Sequence, residues 1–373
     1  MRETDAIWAL GAMSGTSLDG VDAALLRTDG HTIFEFGDCS YRPYSEVERG
    51  ALNAALGKME GAEVADAAEV VEVAHTELLL RFDQAGLVGF HGQTLWHDPA
   101  AGQTFQCGDG QVLCEALQRP VVWDFRSADV ALGGEGAPLA PFYHFALAKY
   151  LKFTQPVVFL NIGGVANMTW VDPGKLSPEE DGALLAFDTG PGNALMNDLM
   201  AVRRGVAMDA DGTLAATGDV NEAILTSMLS EPRYFARVPP KSLDRNDFSG
   251  WTEAVKPLSD ADALATLAAG TAGSIVAALA HCPSPPSQIL VTGGGRKNPT
   301  LMELIDGLAP CTISPVEVYG LDGDMLEAQA FAYLAVRVQR GLPTSAPMTT
   351  GVAAPVGGGK ISHPIMGTKR LTL

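Results

Sequence analysis

The chain reads as a two-domain α/β protein in which each domain is a mixed sheet with flanking helices. Three observations predict this. Its 373 residues exceed what one core ordinarily holds. Short apolar strands alternate with Ala- and Leu-rich helical stretches, and hairpins interrupt strict strand–helix–strand order. Two hairpins of the same outline, each an apolar strand, a turn of small residues and a second apolar strand, open two similarly built halves.

In order, residues 7–12 form an apolar strand that enters the turn Ser14-Gly15-Thr16-Ser17 and returns as the alternating strand 21–26. Residues 51–82 are rich in Ala, Glu and Leu and predict helix. A strand at 87–90 ends on His91-Gly92-Gln93-Thr94, and another at 121–123 precedes Asp124-Phe125-Arg126 and the glycine-rich 133–136. The second hairpin spans 156–171, followed by a strand and turn at 184–192, a helix from Ala194, a charged loop at 241–247 and a long apolar helix at 261–281. Residues 288–292 form a strand running into Gly293-Gly294-Gly295, and Asn298-Pro299 supply a cap and first-turn proline for the next helix. A last helix covers 327–340. These signals place residues 1–132 with 342–373 in the first domain and 133–341 in the second.

Composition narrows the function. Apolar residues make up 47% and charged residues 18%, the balance of a buried globular chain and not of a disordered one. The formal charge of −19 repels phosphate backbones and anionic lipid, so neither nucleic acid nor a membrane is an expected partner. A nucleotide is still admissible, because backbone N–H groups and a metal can hold its phosphates. Five widely spaced cysteines without a CxxC pair point to free thiols in a reducing compartment. No segment approaches ~20 apolar residues, and a cytoplasmic location follows as the expectation.

The familiar phosphate signatures fail. Gly359-Lys360 is followed by Ile361, so there is no P-loop, and Leu195 stands where Gly190-Pro191-Gly192 would need a third glycine. His91 and His97 have no acidic or cysteine companion at metal-ligand spacing and read as satisfied loop histidines. The strongest motif is Gly11-Ala12-Met13-Ser14-Gly15-Thr16-Ser17-Leu18-Asp19-Gly20-Val21-Asp22. A hairpin tip of Gly, Ser and Thr offers backbone N–H groups and hydroxyls to an anion. Asp19 and Asp22 stand where a magnesium ion, held directly or through water, would sit beside phosphates. Read alone, such a tip is more often an ordinary tight turn with solvated Asp residues. Asp188, between an apolar strand and a Thr-Gly-Pro-Gly turn, is either a turn cap or a general base.

The blocks together resemble a family. The first motif, Gly89-Phe90-His91-Gly92-Gln93-Thr94, Asp124-Phe125-Arg126, the run GGEGAPLAP at 133–141, Asn161-Ile162-Gly163-Gly164-Val165-Ala166-Asn167, Phe187-Asp188-Thr189-Gly190-Pro191-Gly192-Asn193, TGGGRKN at 292–298 and Glu327-Ala328-Gln329-Ala330-Phe331-Ala332 occur in the order seen in the anhydro-N-acetylmuramic acid kinases, members of the sugar kinase/actin/heat-shock ATPase superfamily. The resemblance implies two actin/hexokinase-like domains with an ATP cleft between them. It implies a first phosphate loop from Gly15, Thr16, Ser17, Leu18, Asp19, Gly20, Val21 and Asp22, and a second from Asn161, Gly163 and Gly164. Gly293, Gly294 and Gly295 are similar to the family's adenosine segment, and Asp188 to its catalytic base. Arg126, Glu327 and Thr104 align with sugar-contacting positions. Two blocks depart from the family form: Thr104-Phe105-Gln106-Cys107-Gly108 replaces Thr-Leu-Gln-Ile-Gly, and Lys241-Ser242-Leu243-Asp244-Arg245-Asn246 replaces Lys-Ser-Thr-Gly-Arg-Glu.

The implied activity is ATP- and magnesium-dependent. Water opens the 1,6-anhydro bridge of 1,6-anhydro-N-acetylmuramic acid at C1, and O6 takes the γ-phosphoryl group to give N-acetylmuramic acid 6-phosphate in cell-wall recycling. Small-molecule sugar and ATP are the expected partners; homodimerisation is left open. Two alternatives are a nucleotide-binding regulatory ATPase of the same fold and a kinase for another amino sugar. The first has no need of a sugar pocket, which Arg126 and Glu327 in their blocks imply.

Overall fold

A computed structural model describes residues 5–230, 234–243 and 247–365. In chain order its strands are β1 (Ile7–Ser14), β2 (Gly20–Thr28), β3 (Ile33–Pro43), β4 (Leu87–Asp98), β5 (Gln103–Cys107), β6 (Val121–Trp123), β7 (Val157–Ile162), β8 (Val165–Val171), β9 (Leu184–Pro191), β10 (Gln288–Thr292), β11 (Thr312–Pro315) and β12 (Lys360–Ser362). The helices are α1 (Glu46–Ala55), α2 (Ala62–Leu79), α3 (Gly110–Leu117), α4 (Ser127–Ala131), α5 (Pro141–Tyr150), α6 (Ala194–Arg204), α7 (Glu222–Ser230), α8 (Ser249–Ala254), α9 (Asp260–Ala278), α10 (Pro299–Leu308), α11 (Leu326–Gln339) and α12 (Pro347–Thr350). The helical stretch expected at 51–82 is two helices, because Gly57 and Gly61 adopt positive φ between α1 and α2.

The chain divides into two compact units. The first comprises the described residues of Met1–Tyr150, Ser177–Glu179 and Met325–Leu373, the second those of Leu151–Leu176 and Glu180–Asp324. This differs from the expected boundaries at 132/133 and 341/342. The reason is packing: α5 and α11 lie against each other, and α11 lies on β1, β2 and β4 of the first sheet.

In the first unit β3-β2-β1 are antiparallel, and β4 and then β6 add parallel to β1; β5 pairs with β4 and β12 with β6. In the second, β9-β8-β7 are antiparallel, with β10 and then β11 parallel to β7. The five central strands thus follow one scheme twice, as the paired hairpins led one to expect.

Strand alternation sends neighbouring side chains to opposite faces. In β1 and β4, Leu10, Ala12, Val88 and Phe90 join the core beneath α2 with Val64, Ala67 and Val71. On the opposite face Gly11 and Gly89, paired across the two strands, meet α11 so closely that a Cβ would fall 1.8 Å from Ala328 O and 2.2 Å from Phe331 O. Only glycine allows that approach, and it fixes where α11 begins. In the second unit α9 is the core helix, surrounded by residues of β7–β10 and α6. The segment Asp260–His281 is long and apolar enough to cross a membrane, but 78% of its apolar window is buried within the protein, as a core helix requires.

Candidate active site

The tip between β1 and β2 is held from below. Ser14 Oγ donates to Gln93 Oε1 (2.5 Å) and lies 3.0 Å from Tyr44 Oη, while Gln93 Nε2 donates to Gly15 O (3.2 Å). Asp19 O accepts from Tyr44 N (2.9 Å) and Tyr41 Oη (2.9 Å). Burial pushes the Tyr44 hydroxyl up to about 12, so it stays protonated as a donor. Thr16, Ser17 and Asp19 are exposed. Leu18 and Val21 differ from the expectation of a contiguous phosphate loop: their side chains are buried in the core, leaving only backbone to face a ligand. Leu18 adopts φ 57°, an unfavourable region for a side chain of its size, which turns the tip. Gly20 has no room for a side chain, since a Cβ would sit 2.3 Å from Arg42 O.

Arg126 stands just before α4 and is held by two fixed acceptors. Its Nε donates to His91 Nε2 (3.0 Å) and its Nη1 to Gly136 O (2.7 Å). Gly136 is itself placed by Asp129, a buried carboxylate that accepts from Gly136 N (2.7 Å), Ser345 Oγ (2.5 Å) and Thr350 Oγ1 (2.7 Å). Burial lowers the Arg126 pKa to about 10 against the opposing charges of Glu327 and Asp129, which leaves the guanidinium cationic at neutral pH. Glu327 lies in the first turn of α11. Burial of the carboxyl raises its pKa and the charge of Arg126 opposes the rise, while the residue as a whole keeps an exposed surface. Thr104 Oγ1 lies 3.0 Å from His97 Nδ1 and accepts from Gln106 Nε2 (2.9 Å). A Cβ on Gly136 would meet both His97 Cε1 (3.4 Å) and Arg126 Cβ (3.5 Å), so Thr104, beside His97, belongs to the same neighbourhood.

In the second unit one row crosses the sheet: Thr292 pairs with Asn161, Asn161 with Asn167, and Asn167 with Asp188. Two strand spacings separate Asn161 from Asp188, about 10 Å. At the β7–β8 tip, Gly163 O accepts from Asn193 N (2.8 Å) and Gly164 O from Gly192 N (2.9 Å) and Ala194 N (3.2 Å). In a trans peptide N–H and C=O point oppositely. These carbonyls, turned toward residues 192–194, therefore direct the Gly164 and Val165 N–H groups the other way. Gly293 and Gly295 pack on the same tip: a Cβ would meet Asn161 Oδ1 at 2.2 Å and Ile162 Cγ2 at 2.3 Å. Gly294 has open space around it.

Asp188 does not end its strand. β9 continues to Pro191, and Ala166 pairs with Gly190 while Asn167 pairs with Asp188, so Thr189 is an extra residue at a bulge. A bulge re-aims the side chain beside it, and bulges recur next to active sites. The segment before α8 wraps Asp188. Leu243 N donates to its Oδ2 (2.9 Å), Tyr234 Oη to its backbone O (2.7 Å), and its own N to Lys241 O (3.1 Å). Lys241 is nearly buried, with Nζ donating to Tyr234 O (3.1 Å); burial pulls its pKa down to about 8. Arg245 and its neighbours Asp244 and Asn246 lie outside the described residues.

The structure thus gathers Arg126, Thr104 and Glu327 with the first tip in one unit, and Asp188, Asn161, Gly163, Gly164 and Gly293–Gly295 in the other. Sequence reasoning missed His91, Gln93, Asp129, Tyr234 and the Leu243 amide. The motif GFHGQT carried a signal for the first two, though not their roles.

Comparison with known proteins identifies the family. The model of the family "Anhydro-N-acetylmuramic acid kinase" matches residues 7–363. A protein of that name from Roseobacter denitrificans is 60% identical over 98% of this chain and 96% of its own length. One from Ruegeria sp. is 60% identical over 98% and 97%, and one from Rhodospirillum rubrum 51% identical over 96% and 95%. Likeness to solved structures is remote: the activator of 2-hydroxyisocaproyl-CoA dehydratase from Clostridium difficile covers 90% of this chain and 96% of its own at TM-score 0.47 and 11% identity, and supports no inference. The chain belongs to the anhydro-N-acetylmuramic acid kinase family.

Proposed function

We propose that this chain is the cytoplasmic kinase that opens 1,6-anhydro-N-acetylmuramic acid with water and phosphorylates O6 with ATP, yielding N-acetylmuramic acid 6-phosphate for cell-wall recycling. The observation that carries the reading is the family match across almost the whole chain. The bulge that aims Asp188, with one carboxylate oxygen fixed by the Leu243 amide, accords with it.

Asp188 takes a proton from water as the water oxygen bonds to C1. The C1–O6 bond breaks and its electron pair stays on O6. That oxygen attacks the γ-phosphorus, and the bond to ADP breaks. No acid is needed for the leaving alkoxide, because the phosphoryl group captures it. The outward amides of the second tip and the exposed Thr16 and Ser17 of the first suit phosphate oxygens, with the Gly293–Gly295 backbone near the nucleoside. Arg126 suits the lactyl carboxylate, which a guanidinium binds bidentately, and Glu327 and Thr104 suit ring substituents.

Asp19 and Asp22 fit a magnesium ion. Tyr41 pairs with Asp22 across β2 and β3, and its hydroxyl donates to Asp19 O (2.9 Å), which sets the two aspartates near one another. Among the described residues no group of three or more acidic, His or Cys side chains could hold a metal. Magnesium commonly keeps its waters and takes only one or two carboxylates plus phosphate, so a sparse acidic pair suffices. When bound it neutralises charge on the phosphates. The direct test is ADP release by the purified protein with ATP alone, with free N-acetylmuramic acid and with the anhydro-sugar. Only the last should drive turnover; equal ADP release without sugar contradicts the proposal.

A further inference from the structure

We propose that His91 is a positioning residue for the sugar reaction, a neutral imidazole whose Nε2 holds Arg126 in its substrate-facing pose. The hydrogen-bond network assigns its protonation. Arginine Nε is always a donor, so His91 Nε2, 3.0 Å away, must accept and carries no proton. The proton therefore sits on Nδ1, which donates to Gly92 O at 2.7 Å. An imidazolium would set N–H against N–H. Burial, followed by the charge of Arg126, holds the His91 pKa far below its usual range and favours the same neutral form.

The ring has little freedom. His91 is 3% exposed and packs on Phe331 at 4.7 Å between centroids, with Phe125 on another side of that phenylalanine at 5.2 Å. Gly92 follows at φ 78°, and a Cβ there would lie 2.6 Å from Cys107 O, so the bend after His91 needs glycine. With Nε on His91 and Nη1 on Gly136 O, no acceptor among the described residues bonds Nη2. That edge is left for a carboxylate. Two neutral, immobile acceptors orient the guanidinium without neutralising it, which a carboxylate partner would do.

The inference rests on the reading of Arg126 as a sugar contact, and the test separates the two. Asparagine reproduces the Nδ1 position of histidine, glutamine the Nε2 position, and phenylalanine neither. We expect His91→Asn and His91→Phe to raise the KM for anhydro-sugar about 10- to 100-fold, the loss of a hydrogen bond to a charged group. His91→Gln should return it to within roughly threefold of wild type, and the ATP KM should not move in any variant. In an Arg126→Ala background, His91→Asn should add nothing further. Sugar KM unchanged in Arg126→Ala overturns the Arg126 reading and this inference with it. Sugar KM raised by Arg126→Ala but not by His91→Asn overturns the inference alone. So does His91→Gln as impaired as His91→Phe with ATP KM rising in parallel, or effects of His91→Asn and Arg126→Ala that simply add.

Discussion

Replacing Gly89 by alanine tests how the fold sets the site. The new Cβ would lie 2.2 Å from Phe331 O and 3.0 Å from Ala335 Cβ. An ordinary C···O contact is ~3.3 Å, so α11 must retreat by about 1 Å or β4 must bend away. Overpacking of this kind costs about 1–3 kcal/mol. For a unit of this size each kcal/mol lowers Tm by about 2–4 °C, which gives a fall of about 2–12 °C. The same shift moves Glu327 in the first turn of α11, and a displacement near 1 Å can cost up to about 100-fold in rate. Thermal unfolding by circular dichroism and kcat/KM for the sugar read the two effects. Gly50→Ala is the control: it lies in α1 with nothing within 4 Å of a new Cβ, and should stabilise by about 0.5–1 kcal/mol. Gly89→Ala with wild-type Tm and sugar kinetics would refute the close-approach argument.

Asp188→Asn keeps an oxygen for the Leu243 amide but cannot take a proton; turnover should fall ~10²–10⁴-fold with ATP binding intact, and a loss under tenfold in steady-state assays contradicts the base role. Chelation of magnesium should stop phosphoryl transfer, and Asp22→Asn should raise the magnesium needed for half-maximal rate at least about tenfold without changing the sugar KM. Glu48 accepts from Arg42 Nη2 (2.8 Å) and Ser45 N (2.6 Å), and the Arg42 bond first, then Ser45, bring its pKa down to about 2. Because the folded pKa is depressed, this stabilisation is present above the unfolded value near 4.5 and is lost as pH falls toward 2. Glu48→Gln should therefore cost roughly 1–2 kcal/mol at neutral pH, allowing for solvent screening, and only a small part of that near pH 2; a pH-independent difference in denaturant melts contradicts it.

What was legible in the chain was local chemistry. The small residues of the two hairpin tips, the Asn298-Pro299 helix start, whose Asn298 Oδ1 accepts from Leu301 N, and the Asp188 block all carry their signals within a few residues. What was not legible depends on partners distant in sequence. The bulge that carries β9 past Asp188 is set by its register on β8. Asp129 is satisfied by Ser345 and Thr350, more than two hundred positions away, so nothing near it in the sequence marks it as a keystone. His91 looked like a loop histidine because its companion is an arginine from another strand's end, not a metal ligand at close spacing. The difference between the expected domain boundary and the two compact units has the same origin. The glycines that admit α11 lie in β1 and β4, far from the helix they receive.

The most direct test of the central claim runs the reaction on anhydro-sugar in oxygen-18 water and follows the anomers by NMR, with free N-acetylmuramic acid as the parallel substrate. If Asp188 delivers water to C1 opposite the departing O6, the label enters the C1 hydroxyl, the α anomer of the 6-phosphate forms first, and the free sugar, whose O6 proton lies away from that carboxylate, reacts poorly. Label in the phosphate, a first-formed β anomer, or equal rates on the two sugars would contradict the account.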